Sequence, residues 1–342
     1  MMVTARWPGS NAEALYQALK RDGHSLWPVQ EGLHFPERWQ SLPLKIIRRA
    51  FQPLMTRDLH NSILGRAAYF RPHLFLAFKG TFVQPATLRE LSRHGAKKIN
   101  WYPDVSFTVH SRYLPRALPL YDWVFTAKTF GLNDMKKTLG VENASLLLHG
   151  YDPEVHAPQE LTQEDNAQYG SDASFIGTWS PKKQQYLEEV ISQMPDLDLK
   201  IWGNQWEKAL PGALGGAIQG HEIAGREYAK AITASKINIA ILSEKRAGAS
   251  SGDHVTSRTF HIPASGGFML HERTHELLEL YDEGREIGCF ESPEELARQI
   301  KTLLDDEEKR LAIARRGRGR CVPAHSMDAR AQVILDKYEK LV

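Results

Sequence analysis

Residues that could bind an anion are concentrated in the stretch 253–287, which reads DHVTSRTFHIPASGGFMLHERTHELLELYDEGREI. A polar run from Asp253 to Arg258 leads into a small-residue turn that contains Gly266-Gly267, and a short apolar strand and a charged helix follow. Two adjacent glycines let a ligand approach the backbone where any Cβ would collide. If the preceding residues form a helix, its first N–H groups and Arg258 can face an anionic group. The pattern predicts a site for a nucleotide diphosphate.

A second group of candidates follows the apolar run Ser174–Ile176. Gly177 ends this predicted strand, Ser180 is suited to cap the next helix, and Pro181 suits its first position. The free N–H groups of that helix end, together with Lys183, could bind a diphosphate. A capped helix with solvated lysines would have the same pattern, so both interpretations stay open.

A third candidate turn, Trp202-Gly203-Asn204-Gln205-Trp206, ends another predicted strand. Gly203 suits a sharp exit from the strand and counts among the substrate-binding candidates. Tryptophan packs in cores more often than it stacks on ligands. We therefore expect Trp202 in the core, and the role of Trp206 stays open.

In the first half of the chain, two polar residues follow predicted strands. Lys79 comes directly after an apolar strand and could contact a phosphate of the donor or the acceptor. Asp104 follows Pro103, at a position where a carboxylate could remove a proton from an acceptor hydroxyl. An aspartate that only caps a turn would look the same. A catalytic role for Asp104 is thus one of two open interpretations.

The sequence does not predict a metal site. No set of His, Cys and carboxylate residues has the spacing of a zinc site, and neither a P-loop nor a GxSxG elbow is present. Helix ends and basic side chains can bind phosphates without a metal. We therefore expect neither a metal nor another cofactor.

The composition argues against several classes of protein. A formal net charge of +2 gives no reason to expect a nucleic-acid partner. The two cysteines argue against a disulfide framework and fit a reducing compartment. The N-terminus lacks a signal-peptide pattern, and no run of about 18 apolar residues could span a membrane. We expect a cytoplasmic protein without a transmembrane segment.

Short apolar runs alternate with helical patterns through the 342 residues, which indicates an α/β fold with parallel sheets built from β-α-β units. The polar segment 150–170 is the best domain boundary. We expect two Rossmann-like doubly wound domains facing a cleft, 1–155 and 156–326, and a C-terminal helix, 327–342, that packs on the first. The predicted strands are Leu26–Val29, Leu74–Phe78, Lys98–Trp101, Trp123–Thr126, Ser145–Leu148, Ala173–Ile176, Leu199–Trp202, Ile237–Leu242, Phe268–Leu270 and Ile287–Phe290.

The stretch that begins at Asp253 resembles the C-terminal signature of glycosyltransferases of the spore-maturation-protein type, also called CgeB-like. The segments DASFIGTWSPKKQQYLEEV and LKIWGNQW are similar to the same family, and INWYPD and LLLHGYDPEVHAP resemble it less specifically. The resemblance covers most of the chain. It implies a GT-B fold of the group 1 glycosyltransferases, a nucleotide-sugar donor in the C-terminal domain and an acceptor on the N-terminal side.

The resemblance also implies roles for two residues of the second domain. Asp253 stands where the family places an acidic residue beside the transferred sugar, so the resemblance implies that it is a catalytic residue. His261 departs from the family pattern, which has a glutamate there to accept hydrogen bonds from the donor ribose. A neutral imidazole has one acceptor and one donor, so the departure puts the ribose contact in doubt but not the fold.

The sequence therefore predicts a metal-independent glycosyltransferase of hexosyltransferase type. Its substrates would be a nucleotide-diphosphate sugar and an unknown acceptor, which is a glycan, a protein or a small molecule. Two alternatives stay open. One is a nucleotide-sugar epimerase of the same fold, and the other is a noncatalytic nucleotide-sugar-binding protein, for which His261 is the one hint in the sequence.

Overall fold

The computed structural model describes residues 1–4, 6–35 and 42–342. The chain forms two compact units. Unit 1 consists of residues 1–149, 245–252 and 330–342, and unit 2 of residues 150–244 and 253–329. Within the described ranges, no helix is both long enough and apolar enough to cross a bilayer.

The described part of unit 1 contains a parallel sheet of six strands in the order β2-β1-β3-β4-β5-β6. The strands are β1 (Met2–Thr4), β2 (Pro28–Gln30), β3 (Leu74–Phe78), β4 (Lys97–Tyr102), β5 (Trp123–Thr126) and β6 (Ala144–Leu146). The helices are α1 (Asn11–Arg21), α2 (Glu31–His34), α3 (Leu42–Phe70), α4 (Pro85–Arg93), α5 (Leu114–Ala117) and α6 (Thr129–Leu139). The winding of the sheet reverses at the neighbouring strands β1 and β3, because β2 is added on one side of β1 and the later strands are added on the other side.

Unit 2, all of whose residues the structure describes, has a parallel sheet of five strands in the order β11-β10-β9-β7-β8. The strands are β7 (Ser171–Ile176), β8 (Leu199–Trp202), β9 (Ser235–Ala240), β10 (Met269–Glu272) and β11 (Gly288–Phe290). The helices are α7 (Gln163–Tyr169), α8 (Pro181–Gln193), α9 (Gly225–Ala234), α10 (Arg258–Ala264), α11 (His275–Leu280), α12 (Pro293–Leu304) and α13 (Glu307–Cys321). A last helix, α14 (Met327–Glu339), begins in unit 2 and ends in unit 1.

The order of this second sheet is that of a doubly wound fold. β8 lies on one side of β7, and β9 lies on the other side. Ligands of such sheets bind in the crevice beyond the carboxyl ends of the two strands at which the winding reverses. In unit 2 those strands are β7 and β9, so the residues that follow Ile176 and Ala240 form the edge of interest.

The α/β class and the parallel sheets confirm the sequence prediction. β3, β5 and β8 have the predicted bounds. β9 and β10 are shifted by two residues and by one residue relative to the predicted starts, because buried apolar residues also follow β9 (Ile241 and Leu242) and precede β10 (Phe268). The prediction missed β1, which is only three residues long, and α3, whose apolar residues do not follow a single stripe.

Helix α10 explains much of the signature segment. Its residues from Thr259 to Ala264 are buried. The last residue of the polar run, Arg258, is thus the first residue of α10, whose other residues are buried. The helix runs from the carboxyl edge of the sheet to the turn Gly266-Gly267 at the amino end of β10.

Candidate functional site

Arg258 lies at the reversal point of the unit 2 sheet. Its Nη1 donates to the carbonyl oxygen of Ile176 (3.2 Å), the last residue of β7, and its Nη2 to that of Ile241 (2.7 Å), the first residue after β9. Burial lowers the pKa of the guanidinium, and the carboxylates of Asp253 and Glu272 act against that shift. A guanidinium remains charged in proteins. The residue therefore places a positive charge where doubly wound sheets bind ligands, while two of its N–H groups bind backbone.

Gly177 follows β7 and is required by the position of Arg258. A Cβ on Gly177 would lie 2.7 Å from Nη1 of Arg258, which its hydrogen bond holds in place. The next strand imposes a similar constraint, because a Cβ on Gly203 would overlap the carbonyl group of Gly177, and Gly203 has φ +140°. Both glycines are thus explained by the close approach of neighbouring groups, namely the guanidinium of Arg258 at Gly177 and the carbonyl of Gly177 at Gly203.

The turn between β7 and α8 is held by neighbouring residues. The backbone N–H of Gly177 donates to the carbonyl of Trp202 (2.9 Å), and Nε1 of Trp206 donates to the carbonyl of Gly177 (2.8 Å). Trp202 is buried, as expected, and Trp206 is buried as well. The indole of Trp206 therefore fixes the turn rather than standing free for a ligand.

The N-terminus of α8 carries a carboxylate of the protein itself. The N–H of Lys183 donates to Oγ of Ser180, which confirms the predicted cap, and the N–H of Lys182 donates to Oε1 of Glu244 (3.2 Å). Burial disfavours the charge of Glu244, but hydrogen bonds from its own backbone, Ser180 and Lys182 outweigh burial and lower its pKa. An anion is therefore stable at this helix end, as expected at an N-terminus.

The two lysines of α8 differ in their surroundings. Lys183 is buried, and its Nζ donates to the carbonyl of Thr178 (3.0 Å) and contacts Oγ of Ser243 (3.4 Å). Nζ of Lys182 forms an ion pair with Glu272 (2.6 Å). Lys183 therefore holds its charge at the edge between β7 and β9, while the charge of Lys182 is paired beside β10.

Asp253 is the first residue of unit 2 after the segment 245–252 of unit 1. Its N–H donates to the carbonyl of Ser243 (2.9 Å). This hydrogen bond links the place where the chain leaves unit 2 to the place where it enters unit 2 again. The negative charge of Asp253 acts on the guanidinium of Arg258. The predicted catalytic carboxylate thus belongs to the same edge as Lys183 and Arg258.

His261 is buried inside unit 2. Its Nε2 donates to the carbonyl of Gly150 (3.1 Å), and its ring stacks on that of His156 at a centroid distance of 3.8 Å. Burial lowers the pKa of His261 to about 3, so the imidazole is neutral. The protein itself takes the one donor of the ring, which leaves Nδ1 as the acceptor on this side chain.

Gly266 and Gly267 lie away from this edge, at the amino end of β10. Gly266 has φ +80°, a conformation that favours glycine. A Cβ on Gly267 would lie 2.5 Å from Cγ2 of Ile232 and 2.6 Å from Nδ2 of Asn238. These contacts account for both glycines by a tight turn and by packing. The structure therefore does not bring this pair together with Gly177, Lys183 and Arg258.

The carboxyl edge of the unit 1 sheet has its own cluster of charges. Nζ of Lys79, after β3, lies 2.6 Å from Oδ2 of Asp104, and Nε2 of His110 lies 3.0 Å from the same oxygen. About a third of each side chain is exposed. Burial of the Asp104 carboxylate opposes ionisation, but the hydrogen bond with His110 and the charge of Lys79 outweigh it and lower the pKa of Asp104.

Lys79 has an unusual backbone. Its φ is +66°, in the left-handed region that few residues other than glycine adopt. The N–H of Lys79 donates to the carbonyl of Trp101 (2.8 Å), and its carbonyl accepts from Nδ2 of Asn100 (3.1 Å). These two bonds to β4 hold a conformation that costs about 1 kcal/mol, and they aim the side chain at Asp104.

Three residues of these edges, Glu244, Glu272 and His110, were not among the predicted site residues. Glu272 ends β10 and accepts from the N–H of Leu242 (2.9 Å), so it joins the ends of two strands. A systematic list of polar residues at strand ends would have included Glu244 and Glu272. His110 lies six residues beyond Asp104, and only the folded loop brings them together. Among the residues that the structure describes, no three His, Cys, Asp or Glu side chains form a metal site.

Comparison with known proteins agrees with this architecture. A family model described as glycosyl transferase-like matches residues 182–336, which covers most of unit 2 and α14. No curated protein matches the sequence.

Solved structures match nearly the whole chain. Sucrose-phosphate synthase from Thermosynechococcus elongatus has a TM-score of 0.71 at 13% identity, with 99% of this chain and 98% of that chain covered. HepE from Anabaena in complex with UDP-glucose has a TM-score of 0.68 at 14% identity and 99% coverage of both chains. A protein from Listeria monocytogenes named for UDP-N-acetylglucosamine 2-epimerase has a TM-score of 0.56 at 14% identity, with 99% and 97% covered. The chain therefore has the α/β fold of the GT-B glycosyltransferases.

Proposed function

We propose that this protein transfers a sugar from a nucleotide-diphosphate sugar to a hydroxyl group of an acceptor, without a metal ion. The observation that carries the proposal is the edge at the reversal point of the unit 2 sheet. There, Arg258 and Lys183 place two positive charges beside the α8 N-terminus, and Gly177 lets the guanidinium of Arg258 lie close to the backbone. Such a site suits a diphosphate.

In this proposal the donor diphosphate replaces the carboxylate of Glu244 at the N-terminus of α8. The N–H of Lys182, which now donates to Glu244, would then donate to a phosphate oxygen. As the bond between the anomeric carbon and the diphosphate oxygen breaks, the leaving group takes the electron pair. Lys183, Arg258 and the helix end would stabilise the charge that develops on it. Asp253, as the resemblance implies, would lie beside the transferred sugar.

We further propose that the acceptor hydroxyl binds at the unit 1 edge, beside His110 and Asp104. Because its pKa is lowered, Asp104 is a weak proton acceptor. It is therefore better suited to orient a second base than to remove the hydroxyl proton itself. His110 donates from Nε2 to Asp104 and can accept the hydroxyl proton at Nδ1. Lys79 would hold Asp104 in its charged form.

The acceptor site is tested with Asp104→Asn. An amide keeps the shape of the side chain but removes the charge that orients the imidazole, so we expect transfer to fall about a hundredfold, with donor binding unchanged. Asp122→Asn is the matched control, because Asp122 also pairs with a lysine, Lys98, but lies at the amino end of β5. Unchanged turnover in Asp104→Asn would contradict the assigned role.

The reaction itself is tested by incubating the protein with UDP-, GDP-, ADP- and TDP-linked sugars and a panel of hydroxyl acceptors. UDP-glucose comes first because it occupies HepE, a protein of the same fold. We expect release of a nucleoside diphosphate together with a glycosylated acceptor. The Listeria monocytogenes relative favours an epimerase as the second candidate. Conversion of the sugar without any acceptor would support that activity instead.

A further inference from the structure

Helix α3 carries apolar side chains on a face that the rest of the described protein leaves open. Ile46, Ile47, Phe51 and Leu54 are between 41% and 63% exposed, and Ala50 is exposed as well. Positions i, i+1, i+4, i+5 and i+8 fall on one side of an α-helix, because successive residues are about 100° apart. These five residues, which we call the open face of α3, form a continuous apolar strip.

The opposite face of α3 packs against the rest of unit 1. Thr56, Leu59, Ile63 and Ala67 are fully buried at spacings of three and four residues. Leu59, Ile63 and Ala67 belong to the core cluster that includes Phe75 and Leu88. The helix therefore needs one apolar face for folding, and the open face is additional. Single exposed apolar residues are ordinary, but a continuous strip of them marks an interaction surface.

Basic residues are frequent in the sequence of α3, and Arg49 and Arg57 lie beside the open face. The α3 sequence contains Lys45, Arg48, Arg49, Arg57 and Arg66, whereas Asp58 is its one acidic residue. Arg49 and Arg57 are exposed, and Arg48 is half-buried. Asp58 accepts a hydrogen bond from Nδ1 of His34 (2.6 Å), so one of its oxygens already has a partner within the protein. The partner of this surface should therefore be apolar and negatively charged.

We propose that α3 binds the surface of a membrane that contains anionic phospholipids. An amphipathic helix of this kind lies in the plane of the interface, with its apolar side chains among the acyl chains and its basic side chains at the headgroups. α3 is not apolar enough to cross a bilayer. Phe51 and Leu54 would enter the apolar layer, and Arg49 and Arg57 would contact lipid phosphates.

A second copy of this chain is a poorer occupant of the open face. A symmetric dimer pairs the same patch of both copies, which would bring the arginines of one α3 close to those of the other. Like charges at such a contact are repulsive. An anionic lipid surface instead satisfies the apolar residues and the arginines together.

The test is co-sedimentation of the full-length protein with vesicles of phosphatidylcholine alone and with vesicles that also contain phosphatidylglycerol. We expect binding to the anionic vesicles, with weaker binding at higher ionic strength. The double variant Phe51→Ser/Leu54→Ser should bind about tenfold more weakly or worse, and Arg49→Gln should reduce the salt-dependent part. The variant Leu311→Ser/Val333→Ser, which alters exposed apolar residues of α13 and α14, is the matched control.

Equal binding of the wild type to both kinds of vesicle, or unchanged binding of the Phe51/Leu54 variant, would overturn the proposal. Light scattering coupled to gel filtration provides a second test. A dimer that this variant dissociates would assign the open face to a second copy instead. Because nucleotide-sugar binding and transfer are measured without vesicles, their failure would leave this inference unaffected.

Discussion

The carboxyl edges of the two sheets hold their charges in different ways. In unit 2, Arg258 and Lys183 are tied to backbone carbonyls of Ile176, Ile241 and Thr178. In unit 1, Lys79 and His110 instead share one carboxylate, that of Asp104, and about a third of each side chain is exposed. One edge is built into its sheet, whereas the other is a cluster of side chains on a surface.

The way in which each edge holds its charges determines what it is suited to bind. A cation held by carbonyl groups cannot move far, so it can stabilise charge on a leaving group without reorganising during the reaction. A partly exposed imidazole beside a carboxylate can exchange protons with a bound hydroxyl. The proposed division of labour, with the diphosphate at unit 2 and the acceptor at unit 1, follows from this contrast.

The contrast predicts that the unit 2 edge tolerates almost no added atom. In Gly203→Ala, the new Cβ would overlap the carbonyl of Gly177, and alanine strongly disfavours the φ of +140°. We expect the free energy of unfolding to fall by about 3 kcal/mol or more, measured by urea denaturation. Gly216→Ala is the control, since nothing lies within 4 Å of its Cβ position. Equal stability of the two variants would show that the edge is pliable.

A smaller effect is expected from pH, through the buried imidazoles of unit 2. Burial lowers the pKa of His261 to about 3 and that of His271 to about 4, from a usual value of 6.5. The unfolded chain therefore binds protons first as the pH falls. Their contribution to the free energy of unfolding is therefore largest above about pH 6.5, and it decreases as the pH falls towards their pKa values in the folded protein. By about pH 5 the loss is about 2 kcal/mol for each histidine.

This pH dependence is measured by denaturation of the wild type and of His261→Gln. Glutamine keeps a donor for the carbonyl of Gly150 but does not titrate, so the variant should lose less stability between about pH 6.5 and about pH 5. His275→Gln, at an exposed histidine of α11, is the control. If the wild type and His261→Gln gave parallel curves, His261 would not be the buried neutral group described here.

Local patterns were enough to predict much of the fold. Strands β3 and β5 have the predicted bounds, because each is a single apolar run with clear ends. α3 could not be predicted in this way, because its buried residues and its open face lie on opposite sides and cancel the periodic signal.

For the candidate site, sequence reasoning identified positions but not partners. Gly177, Lys183 and Arg258 follow strands or begin helices, so a doubly wound sheet brings them to one edge. That Arg258 binds the carbonyls of Ile176 and Ile241, 82 and 17 residues away, depends on the packing of the whole unit. The same holds for Gly266-Gly267, whose neighbours Ile232 and Asn238 are distant in sequence.

The proposed diphosphate site of unit 2 can be tested by titration calorimetry of the folded protein with UDP-, GDP-, ADP- and TDP-linked sugars. We predict saturable binding of at least one of them at a single site. Lys183→Met should weaken that binding about tenfold or more, because it removes a charge-assisted contact. Lys200→Met should not change it, because Lys200 is a half-buried lysine of β8 whose Nζ donates to the carbonyl of Gln168. If well-folded protein bound none of these compounds, the assignment of the unit 2 edge to a diphosphate would be wrong.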